Sequence, residues 1–231
     1  MTPEPAYLLH KRAYRETSAL VEFLTLHHGR VRAVARGVQR PGSRLRGVLQ
    51  PFSPLHVTWS GKGDLKRMNL MESRGSSTML VGEGLLCGLY ANELLTRLLP
   101  VELPVGDVFA FYGATLEALP RPDARAGALR RLELALLEAL DAEPRFCGPE
   151  GEALDPQSRY VYDAGSRGFV PGQPGIDGRT LKLLASSDWR SPGLAGPAKG
   201  VMRAALATLL GTRPLRSREL MQQLAERRRA E

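Results

Sequence analysis

The sequence predicts an α+β chain, a small N-terminal β-barrel followed by an all-helical domain, and three observations carry that expectation. From Tyr7 to Glu72 apolar residues recur with a period of two, as a half-buried strand requires. After residue 77 the period becomes 3.6, the repeat of a helix packed on one face. The charge divides at nearly the same place: residues 1–80 hold 13 Lys and Arg against 5 Asp and Glu, and the remainder holds 19 against 19. The expected domains are therefore residues 1–77 and 78–231.

Ala6 to Arg15 is short, apolar and aromatic, and Glu16-Thr17 turns it into a second strand from Ser18 to Thr25. His28-Gly29 leads into Arg30 to Ala35, where Arg30, Arg32 and Arg36 alternate with Val31, Ala33 and Ala35. That alternation sends guanidiniums to one face and small apolar groups to the other. Arg36 to Gly47, with Gly37, Pro41 and Gly42, reads as a basic loop. Val48 to Ser60 contains Pro51 and Pro54, so a bent or edge strand is expected, finishing at Val57 to Trp59. Gly61-Lys62-Gly63-Asp64 then turns the chain into Leu65 to Glu72. Five such strands fit a Greek-key barrel of the OB type, with a small open sandwich as the competing solution.

Ser73 to Ser77 is a polar link. Leu85, Leu86, Leu89, Leu94, Leu95, Leu98 and Leu99 mark the first helix, which Pro100 and Pro104 end. Val105 to Leu119 makes the next, closed by Pro120 to Pro122, and Ala126 to Leu140 a third. The stretch 144–175, rich in Gly and Pro, is expected to be a loop-rich insertion with a hairpin around Tyr160 to Val170. Helices at about 177–185, 198–210 and 217–228 close the chain, with Arg227 to Arg229 a solvated end.

Two cysteines, Cys87 and Cys147, cannot make a disulfide framework, and no leader-like segment opens the chain, so a cytoplasmic, nucleoid-associated protein that does not enter a membrane is expected. The four histidines, His10, His27, His28 and His56, have no carboxylate or cysteine at a metal-ligand spacing. Gly82, Gly84 and Gly88 open no βαβ unit, and Lys62 sits in Gly-Lys-Gly rather than Gly-Lys-Ser. No catalytic apparatus is visible, so the expectation is a binding protein and not an enzyme. Its positive field attracts a polyanion. Lys11, Arg12, Arg30, Arg32, Arg36, Arg40, Arg44, Arg46 and Lys62 are the candidate phosphate contacts, and Tyr14, Phe52 and Trp59 the candidate stacking faces for single-stranded nucleic acid. An OB barrel does not itself choose between DNA and RNA, so an RNA-binding module stays open.

The chain resembles the RecO family of bacterial recombination mediators. The likeness rests on Leu9-His10, Tyr14-Arg15-Glu16, His28-Gly29-Arg30, Ala35-Arg36-Gly37, Leu45-Arg46-Gly47 and Leu49-Gln50-Pro51-Phe52 in the first part. In the second it rests on Tyr90, Asn92-Glu93-Leu94-Leu95, Leu98-Leu99-Pro100, Leu129-Arg130-Arg131, Gly178-Arg179 and Arg213-Pro214-Leu215-Arg216-Ser217-Arg218-Glu219-Leu220. The resemblance implies binding of single- and double-stranded DNA, annealing of complementary strands, and action with RecR to load RecA onto DNA coated by single-strand-binding protein (SSB). It also implies contact of the helical domain with the SSB C-terminal tail, for which Leu129, Arg130, Arg131 and Leu132 are the matching candidates. Some members hold zinc through four cysteines in the helical domain. Here only Cys147 stands in that region, so no cofactor is expected.

Overall fold

A computed structural model describes residues 2–75, 79–186 and 193–230, with side chains considered to residue 227. β1 (Glu4–Tyr14), β2 (Ser18–Thr25), β3 (Gly29–Ala35), β4 (Pro54–Ser60) and β5 (Leu65–Ser73) close into a barrel in the order β1-β2-β3-β5-β4. All neighbours are antiparallel except β3 and β5. Closure removes the free edges that an open sandwich would leave. It is possible because the inward positions alternate small and large. Ala6, Ala19, Ala33 and Ala35 leave room for Phe23, Leu8, Leu55 and Trp59 in one buried core.

The segment between β3 and β4 departs from the sequence expectation. The segment before β4 is not a bent strand from Val48: a single helical turn, α1 (Leu45–Val48), occupies part of the basic loop, and the strand starts only at Pro54. Proline is tolerated there because the first residue of a strand needs no ladder donor. Phe52 reverses the chain with φ 65° and is buried.

The residues form two compact units, Met1–Pro122 with Leu215–Glu231, and Asp123–Pro214. The first joins α2 (Gly82–Leu98), α3 (Gly106–Ala118) and α7 (Arg216–Ala230) to the barrel, so compactness divides the chain elsewhere than the change of hydrophobic period does. Asn92 of α2 donates to the Leu9 carbonyl (2.9 Å) and accepts from the Tyr112 hydroxyl (2.6 Å), tying both helices to β1. Tyr7 packs on Phe109 and Tyr112. Glycine is required at position 29, where φ is +63° and an added Cβ would lie 1.7 Å from the Leu103 carbonyl oxygen.

The second unit contains α4, which runs Pro122–Ala139, a sheet of β6 (Arg159–Asp163), β7 (Gly168–Pro171) and β8 (Ile176–Asp177) in the order β7-β6-β8, then α5 (Gly178–Ala185) and α6 (Ala195–Leu210). α4 begins earlier than expected because Pro122, read from sequence as a terminator, serves as its first residue, where the missing N–H costs nothing. No helix among the described residues is long and apolar enough to cross a membrane.

Candidate nucleic-acid interface

β3 buries Val31, Ala33 and Ala35 and turns Arg30, Arg32 and Val34 outward, as the alternation requires. The register then sets Arg12 opposite Leu20, Leu20 opposite Val34, and Val34 beside Arg67. The outer face of the barrel therefore carries a row with half-buried aliphatic groups at its centre and an exposed guanidinium at each end. Arg67 was not among the candidates; the signal was its alternation with Lys66 and Met68.

The basic loop leaves β3 at Ala35 and is anchored to the β1–β2 turn by Gln39 N–H donating to the Thr17 carbonyl (2.9 Å). Arg46 Nη2 in turn donates to the Gln39 carbonyl (3.2 Å). Lys11 Nζ donates to the Leu49 carbonyl (2.9 Å). Arg36, Arg40, Arg44 and Arg46 are all exposed. None of them, nor Lys11 or Arg12, enters an ion pair among the described residues. Burial and the adjacent Arg46 charge hold the Lys11 ammonium below its usual pKa. One end of the barrel thus carries a set of exposed cations that enter no ion pair among the described residues. Lys62 is exposed, but its turn precedes Leu65, which pairs with Arg32, so it lies toward the opposite end of β3.

Three candidates behave differently. Arg30 is spent internally, its Nη1 on Glu22 (2.5 Å) and its Nε on the Leu99 carbonyl (2.7 Å). The same Glu22 lies 4.0 Å from Arg32, which keeps much of its exposure. Trp59 is only 6 % exposed, packed in the barrel core with His28 edge-on at 5.2 Å, so its face is closed to a base. Phe52 is likewise buried, against α2. Tyr14 alone remains half-exposed, with the Arg15 guanidinium 5.1 Å from its ring centroid. Large rings fill the interior of a barrel this narrow before they reach its surface. Sequence reading also missed that Glu4 accepts from His27 and lies near His28, which gives those two histidines a structural partner.

The model of the family described as recombination protein O, N terminal, matches residues 1–76, and that of recombination protein O, C terminal, matches residues 80–219. This chain belongs to the RecO family. It is 44 % identical over 223 residues to the DNA repair protein RecO of Pseudomonas putida (strain GB-1), covering 95 % of this chain and 96 % of that protein. The DNA repair protein RecO of Methylococcus capsulatus (strain ATCC 33009 / NCIMB 11132 / Bath) is 42 % identical over 219 residues, covering 93 % and 90 %.

Two features implied by the RecO resemblance can be compared with the second unit. The quartet considered for the SSB tail does not form an exposed face. Leu129, Arg130 and Leu132 are buried, Arg130 is paired with Glu133 one turn on, and only Arg131 keeps partial exposure. The apolar stripe of α4 is buried, with Ala128, Leu129, Leu132, Ala135, Leu136 and Leu137 all shielded from solvent. Residues 144–175 hold one cysteine, Cys147, where a four-cysteine zinc centre would need four. Phe169 is fully buried between Phe146, stacked at 5.7 Å, and Tyr162, edge-on at the same distance. Cys147 contributes its carbonyl to Phe169 N–H (2.9 Å).

Proposed function

We propose that this protein is a DNA-binding recombination mediator that works without bond chemistry. It binds single- and double-stranded DNA through the barrel, anneals complementary strands, and acts with RecR to load RecA onto DNA coated by SSB. One observation carries the reading: in a RecO-family chain, Arg36, Arg40, Arg44 and Arg46 line the loop end of an OB-like barrel and enter no ion pair among the described residues. Such cations displace counter-ions from a phosphodiester chain. With Trp59 and Phe52 closed, phosphates supply most of the attraction, and annealing gains from screening the repulsion between two strands. Recruitment of RecR and of the SSB tail falls to surfaces outside the quartet on α4.

A salt titration of single-strand binding, with an annealing assay on SSB-coated strands, tests the proposal. The logarithm of affinity should fall with that of salt by about 0.7 per phosphate neutralised. Replacing Arg36, Arg40 and Arg44 together by Ala should reduce that slope by about 2 and abolish annealing. Binding that ignores salt, or survives the triple substitution, overturns it. Preference for RNA over DNA of one sequence would instead favour an RNA-binding module.

A further inference from the structure

We propose that the outer wall of the barrel holds a subsite selective for unpaired strands: a row across β1, β2, β3 and β5 that takes backbone phosphates at its two ends and exposed bases and sugars over its middle. The inference rests on the barrel being the DNA-binding element, and it adds a surface beside the basic loop that a duplex does not use. Register sets the row, with Arg12 opposite Leu20, Leu20 opposite Val34, and Val34 beside Arg67. Alternation turns it outward: Val21, Ala33, Ala35, Lys66 and Met68 next to it along the strands are buried, while Arg12 and Arg67 are exposed. Neighbouring strands lie about 4.8 Å apart, so the backbones that carry the two guanidiniums are separated by about 14 Å.

A polyanion that touches both arginines has to cross Leu20 and Val34. Neither side chain offers a hydrogen bond, and both are only half-buried, whereas the adjoining row of the same face is polar at His10, Glu22 and Arg32. Covering the aliphatic pair is favourable when the covering group is itself apolar. A single strand supplies such groups, because its bases and sugars are free between successive phosphates. A duplex stacks its bases inside and meets a convex barrel wall with phosphates. The charge also matches: Arg12 and Arg67 enter no ion pair among the described residues, and Glu22 in the adjoining row is engaged by Arg30 at 2.5 Å. The row is continuous with the basic loop. Tyr14, half-exposed and opposite Ser18, stands in the next row toward it, and β3 runs from Val34 through Ala35 into Arg36. A cross-strand Leu–Val pair also steadies a sheet, and threonine, which keeps the strand propensity, separates the two roles.

The test is fluorescence anisotropy of the full-length chain across a salt series with three labelled probes of one length: oligothymidine, a strand of abasic units, and a duplex. The unaltered protein should bind the abasic strand about tenfold more weakly than oligothymidine, since the phosphates are the same and the apolar cover is gone. Leu20→Thr combined with Val34→Thr should lower oligothymidine affinity about tenfold, erase the preference over the abasic strand, and leave duplex binding and the salt slope unchanged. Arg12→Ala and Arg67→Ala should each reduce the single-strand salt slope by about 0.7. The abasic probe and the two arginine variants, both at exposed positions, decide the matter even if the double threonine variant does not fold. Equal binding of oligothymidine and the abasic strand, a threonine-variant loss as large on duplex as on single strand, or unchanged slopes in both arginine variants overturns the subsite and leaves the DNA-binding reading standing. Failure of the unaltered protein to bind any probe sinks both.

Discussion

Arg30 and Arg36 are the same side chain six residues apart, yet they do different work. Arg30 bridges Glu22 and the Leu99 carbonyl and is largely shielded. Arg36 is exposed where the loop begins. Arg30→Ala should therefore cost stability, about 1 to 3 kcal/mol, because it strands the Glu22 carboxylate and a carbonyl in a half-buried place. It should leave the salt slope of DNA binding nearly unchanged. Arg36→Ala should do the reverse, with a stability change below about 0.5 kcal/mol. Denaturant unfolding and salt titration of the two variants check both halves of the statement. Lys66 follows Arg30: its side chain is buried, and it is satisfied by Glu102 at 2.5 Å. Alternation along a strand was enough to distinguish inward from outward residues, but it could not say that an outward arginine would be neutralised by a neighbour in the next strand.

At the scale of elements, α7 is the least secured helix in the first unit. Leu220 and Leu224 remain 40 % and 36 % exposed, and the packing of Leu215 lies at its start. Its N-terminus is clipped to α2 by Glu93, which accepts from Arg216 N–H and from the N–H and hydroxyl of Ser217. Arg218 adds a hydrogen bond to the Tyr90 hydroxyl at 3.1 Å. Burial disfavours the charged form of Glu93, but these hydrogen bonds and the Arg97 charge outweigh it, so the carboxyl titrates below its usual value. A depressed folded-state pKa contributes stability above the unfolded value, about 4.3, and that contribution disappears as pH falls through the folded value. Hydrogen exchange in α7 should accelerate selectively in that acid window. Glu93→Gln should bring the same acceleration at neutral pH, while the barrel amides remain protected. A pH-independent α7, or one that opens only with the barrel, would remove Glu93 from this role. The α2 helical pattern was plain in the sequence; the purpose of a half-buried glutamate on it was not, because its partner lies more than a hundred residues downstream.

For the whole molecule, the chelator response separates two ways of holding the second unit together. With Phe146, Tyr162 and Phe169 filling its small sheet, dialysis against a strong zinc chelator should leave the thermal unfolding curve unchanged, whereas a bound structural metal would make it collapse to lower temperature. Phe169→Ala should lower the stability of this unit by about 3 to 5 kcal/mol through the cavity it leaves, measured by denaturation in the presence and absence of zinc.

Taken alone, the sequence determined the strand and helix pattern, the concentration of positive charge in residues 1–80, and the ordered set of short motifs that places the chain in the RecO family. These are local properties: period, composition and order along the chain depend on residues close to one another. Tertiary structure decided which cations are paired with carboxylates, as Arg30 is with Glu22, that Trp59 closes the core instead of offering a stacking face, and that Lys11 reaches the Leu49 carbonyl. Each of those outcomes depends on strand register and barrel closure, which bring distant residues within a few ångströms and set the local dielectric and counter-charge. No window of sequence contains that information.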